Sequence, residues 1–64
     1  MGMTAAQRQR LEEILNQLDE REMDIHLSGV ESFSAFLQRT ARDIWESIRG
    51  AIQEMWQTIR SWFD

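Results

Sequence analysis

His26 is the only histidine in a chain without cysteine, and it follows Glu22 by four residues, a spacing that brings two side chains together on one helical face. The pair could touch one metal ion, and a symmetric dimer would double it. A structural zinc nevertheless takes about four protein ligands and a catalytic one about three, so the pair alone is too few. A turn histidine without a ligand role is the simpler reading, and neither a metal nor any other cofactor is expected. Covalent catalysis has no better footing. The chain has no thiol and no glycine-rich phosphate loop, and it is too short to assemble a His, a Ser and an orienting acid. Its carboxylates fall on exposed helix faces, where nothing holds two of them across a buried cleft. An enzyme is not expected.

The remaining chemistry is recognition. Residues 51–64, AIQEMWQTIRSWFD, concentrate Ile52, Met55, Trp56, Ile59, Trp62 and Phe63 at helical spacing. Arg42, Arg49 and Arg60 follow the polar border beside Trp45 and Trp56, and Trp and Arg are the types enriched where proteins bind one another. Trp45, Arg49, Trp56, Arg60 and Phe63 are therefore the candidate partner-binding residues. Arg stems also cover Trp edges in ordinary helices, so the same tryptophans suit the core of a helical assembly. Arg39 with Asp43, and Arg42 with Glu46, have the spacing of solvated helix pairs.

Charge narrows the partner. Eleven acids against seven arginines give a net −4, and the acid is concentrated in residues 11–31, where Arg21 is the only cation. Nucleic-acid binding needs a basic surface that releases counterions, so it is not expected. The run Asp19-Glu20-Arg21-Glu22 is a solvated helix end or a dock for a basic target. No stretch approaches the roughly 18 apolar residues of a membrane span, and no secretory segment opens the chain. A soluble, cytoplasmic protein is expected. A helix lying on the membrane surface is the competing class, but residues 32–64 are neutral overall and lack the lysines such helices present to lipid. Met1-Gly2 resembles a myristoylation start, but Ala6 stands where the motif wants Ser or Thr; Met3 is the expected natural start.

Few residues can break this chain, which has no proline and three glycines. Thr4 and Gln7 have capping-box spacing, and Leu11, Ile14, Leu15 and Leu18 then share one helical face. Glu22 projects into the centre of that face, so helix 1 frays or pairs differently between Glu20 and His26. Ser28 and Glu31 repeat the box around Gly29, which either starts the second helix or terminates the first in a left-handed conformation. Beyond the turn, Phe33, Leu37, Ala41, Ile44, Ile48, Ile52, Met55, Ile59 and Trp62 recur at a mean spacing of about 3.6. Ile48 and Ile52 keep that phase across Gly50, so Gly50 reads as a soft point in a continuous helix.

The expected fold is an all-α antiparallel helical hairpin in one domain, residues 1–64, with helix 1 about 5–25, a turn about 26–30 and helix 2 about 30–63. Helix 2 would be about 50 Å long and helix 1 only about 30 Å, leaving the aromatic end bare. A chain of this size buries only about 60% of its unfolded surface, and with no disulfide available, association is the remaining way to stabilise it. A homodimer forming a four-helix arrangement is expected, with Leu11, Leu15, Leu18, Phe33, Leu37, Ile44, Ile48, Ile52, Met55, Ile59 and Trp62 as its self-association core. The expected function is that of a small non-enzymatic regulator or adaptor binding another protein; a structural self-assembling subunit fits the same pattern.

Overall fold

The computed structural model describes residues 3–63, so the expectations resting on Met1, Gly2 and Asp64 lie outside it. At its start Thr4 Oγ1 accepts from the Gln7 amide and Gln7 Oε1 from the Thr4 amide, both at 3.1 Å. This capping box opens α1 (Ala5–Asn16), which ends well short of residue 25. The Gln17 and Leu18 amides close its last turn on Ile14 and Leu15. Asp19 then starts a new helix, α2 (Glu20–His26): its Oδ1 accepts from the Glu22 amide at 2.8 Å, and Glu22 Oε1 accepts from the Asp19 amide at 3.2 Å. The restart resolves the conflict seen in the sequence, because Glu22 now lies exposed on a differently directed helix.

Ser28 does not cap the next helix. Its hydroxyl donates to the Ile25 carbonyl at 3.0 Å, closing the end of α2, and Gly29 precedes α3 (Val30–Thr40) with no side-chain cap. Gly29 has φ −165°, extended backbone open to any residue, so the left-handed terminator is absent.

The long second helix is replaced by three. α3 stops at Ala41, whose φ −153° and ψ 66° are not helical; α4 (Arg42–Ile48) follows, then a 3₁₀ turn (Arg49–Ala51) and α5 (Ile52–Ser61). Ala41 stays hydrogen-bonded through the break, its amide donating to Leu37 and its carbonyl accepting from Trp45. The apolar stripe does not reveal the second break. A 3₁₀ turn advances about 120° per residue against about 100° in an α-helix, so three residues displace the stripe by only about 60°. A continuous helix of that length would span about 50 Å. The folded chain measures 29 × 22 × 21 Å.

The bends let one chain close one core. α3 contributes Phe33, Phe36 and Leu37 and packs against α2, α4 and α5. Leu11 and Leu15 enter from α1, Ile44 and Ile48 from α4, and Ile59 from α5, while Leu27 and Ala41 fill the junctions. α1 runs antiparallel to α4, since Gln7 Nε2 donates to Ser47 Oγ at 3.1 Å and Arg10 pairs with Asp43 further along. The guanidinium of Arg10 holds the Asp43 carboxyl below its ordinary range, mainly through the hydrogen bond it donates. Both side chains are about half exposed, so the pair fixes register more than it stabilises. Asp43 is thus taken by α1 rather than by Arg39, from which the Ala41 break separates it. No Arg42–Glu46 ion pair forms among the described residues, where Arg8 and Glu12 make the helix pair instead, at 3.2 Å.

The bare aromatic end is also corrected. Ile59 is fully buried, and Ile52, Met55, Trp56 and Trp62 pack half-buried against the same core. The turn at Arg49–Ala51 folds α5 back onto α3 instead of letting it project. The premise that association is needed to cover this end is therefore lost.

Two substitutions test this arrangement. Ile59→Ala should cost about 2–5 kcal/mol in urea unfolding, with a midpoint independent of protein concentration. Gly50→Ala should raise stability by about 0.4–1 kcal/mol, because a β-carbon there meets nothing within 4 Å and φ is not positive.

Candidate functional site

α2 is only seven residues long and buries none of them completely, so it lies over the core as a partly detached wall. Its half-buried Met23 and the buried Leu27 that follows it are four residues apart and face inward. Between this wall, the end of α1 and the last turn of α5 lies a groove of about 830 Å³. Leu15, Leu18, Met23, Leu27 and Phe63 supply its apolar lining. Glu20 and Asp24, one helical turn apart on α2, line one side, and Arg60 of α5 lines the other. Phe63 remains 40% exposed.

The sides of the groove are held at a fixed separation. The Trp56 indole Nε1 donates to the Leu27 carbonyl at 3.0 Å, tying α5 to the segment that follows α2. The Arg60 guanidinium lies over the Trp56 ring, 5.5 Å from its centroid. One aromatic side chain therefore positions both the α2 end and the cation that faces it. Glu20, Asp24 and Arg60 take part in no ion pair among the described residues.

The residues expected at a binding surface separate into two groups. Trp56, Arg60 and Phe63 come together at the groove or directly behind it. Trp45 packs half-buried against the core from α4, and Arg49 is exposed in the 3₁₀ turn; neither lines the groove. Of the residues expected to form a core between copies, Leu11, Leu15, Phe33, Leu37, Ile44, Ile48 and Ile59 are buried within one chain. Leu18, Ile52, Met55 and Trp62 are half-buried against them, and the Arg8 guanidinium covers the Trp62 ring at 4.8 Å.

Met23 and Leu27 escaped sequence reasoning. Their four-residue spacing is legible, but Met23 falls in the stretch where helix 1 is expected to fray and Leu27 in the expected turn. The unread Asp19–Glu22 capping box was the signal that a separate helix carries them.

His26 stacks on Phe36 with ring centroids 4.4 Å apart. No group of three or more His, Asp or Glu among the described residues could hold a metal ion. No described helix is long and apolar enough to cross a membrane. Comparison with protein families, curated proteins and solved structures found no match.

Trp56→Phe keeps an aromatic side chain but removes the indole N–H that donates to Leu27, together with part of the ring bulk. It should lower stability by about 0.5–1.5 kcal/mol, and it should speed amide exchange in α2 more than in α3, as read by hydrogen-exchange mass spectrometry.

Proposed function

We propose that this chain is a small, non-enzymatic protein-binding regulator or adaptor, which engages a larger protein through the groove between α1, α2 and α5. The observation that carries this reading is a groove whose lining sets apolar side chains, ending at the exposed Phe63, beside polar ones, among them charged side chains of α2 and α5 that form no ion pairs among the described residues. A concave surface in which apolar side chains and fixed polar groups converge is a common place for recognition. The enzyme class is set aside on sequence grounds, since one histidine and no cysteine give little from which to build a nucleophile, a base and an orienting group.

Self-association into a homodimer is the second reading, without the expected four-helix geometry, since the described residues of each chain form five α-helices of their own. It is favoured by Ile25, 55% exposed on α2, and by Phe63, since large apolar side chains at the surface suit an interface between copies.

The tagged chain, cross-linked in lysate of its source cells, tests the proposal. Met23→Gln combined with Phe63→Ser should abolish capture of the cross-linked partner while the melt stays cooperative, at a midpoint lowered by the lost packing of Met23 on the core, whereas Ile25→Ser and Arg49→Ala should leave capture intact. Undiminished capture by the groove variant would refute the proposal. A doubled mass in light scattering that falls to the monomer value on Ile25→Ser would favour self-association.

A further inference from the structure

Building on the proposed docking role, we infer that the groove takes a basic-flanked amphipathic helix of a partner protein, with apolar side chains against Leu18, Met23 and Phe63 and Lys or Arg beside Glu20 and Asp24. The shape supports a helix. The α2 wall, seven residues long, spans about 10 Å, which matches about two turns of a ligand helix presenting anchors at three-and-four spacing. The charge supports a basic flank. Glu20 and Asp24 point the same way along that wall, exposed Asp19 and Glu22 extend the negative field, and neither lining carboxylate is neutralised by an ion pair among the described residues. Apolar anchors in a lined groove give affinity, while the carboxylate side selects the sign of the partner and sets its on-rate.

Other occupants fit this charge less well. A second copy carries the same net −4, so two copies repel as they approach. An anionic lipid surface meets the α2 carboxylates with like charge. Arg60, held over Trp56 on the opposite side, provides a donor for an acceptor side chain on the ligand's far flank.

The test uses a synthetic peptide of about three helical turns with Leu at three-and-four spacing, Lys along one flank and Gln along the other, and a control with Glu in place of Lys. The Lys peptide should bind about tenfold or more tightly than the Glu peptide by fluorescence anisotropy, with the preference shrinking as salt rises. Amide shifts on binding should centre on Leu18, Met23, Leu27 and Phe63. Glu20→Lys combined with Asp24→Lys alters exposed side chains only, so the helical melt should persist while the preference inverts. Equal affinity for the two peptides, shifts centred elsewhere, or an unchanged preference in the reversed variant would overturn the inference. Failure of the Lys peptide while Met23→Gln with Phe63→Ser still abolishes partner capture would overturn the basic-helix assignment and leave groove docking standing. Capture independent of the groove would remove both. Binding to phosphatidylserine vesicles in preference to the peptide, or a doubled mass lost on Phe63→Ser, would assign the groove to lipid or to a second copy and overturn it as well.

Discussion

The fold depends on a single constraint: α3 must find apolar cover on several sides from a chain too short to supply it with straight helices. Phe33, Phe36 and Leu37 are its buried side chains, and α2, α4 and α5 all pack against it. A long helix presents each residue to only one neighbour and exposes the far end of its own stripe. Breaking the chain at Ala41 and again at Arg49–Ala51 returns Ile44, Ile48 and Ile59 to the same interior as Leu11 and Leu15. The resulting helices have 7 to 12 residues. Helices shorter than about 12–15 residues are marginal in isolation, so each relies on the shared core and the assembly should fold cooperatively.

The same constraint shapes the surface. α5 reaches Ile59 into the core and leaves its last turn at the edge, so Trp56 and Phe63 serve different ends. Trp56 fastens α5 to Leu27, while Phe63 stays exposed at the groove. α2 cannot seal the groove from the other side because it is short and carries Glu20, Glu22 and Asp24, whose carboxylates stay in water. A groove of mixed lining with an acidic side follows from a short α2 that lays Met23, and Leu27 just after it, on the core and keeps its carboxylates in water. That connects the fold to the proposed docking role.

The sequence was legible wherever a local rule decided the structure. The Thr4–Gln7 cap, the all-helical class and the inward positions of Leu11, Leu15, Phe33, Leu37, Ile44 and Ile48 follow from capping chemistry and helical periodicity. The breaks were less legible, each for its own reason. Asp19 and Glu22 form a box at capping spacing, and where Glu22 interrupts the helix 1 stripe that box starts a new helix instead of a frayed end. Ala41 carries no local signal, since alanine is the best helix former, and only the demand for a shared core bends the chain there. At Gly50 the periodicity misled, because a short 3₁₀ turn preserves most of the phase while changing direction. The Trp56, Arg60 and Phe63 grouping was anticipated in the sequence. Their meeting with Met23 and Leu27, about thirty or more residues away in the chain, is a tertiary event that no spacing rule carries.

The central claim is that α5 returns to the core of its own chain, and the Trp56–Leu27 contact reports it most directly. An isotope-filtered NOE experiment on an equimolar mixture of labelled and unlabelled protein separates contacts within a chain from contacts between chains. The structure predicts NOEs from the Trp56 indole ring to Leu27 and Ser28 only within the same molecule. The same NOEs appearing between labelled and unlabelled chains would show that α5 packs on a second copy, and would return the aromatic end to a self-association interface.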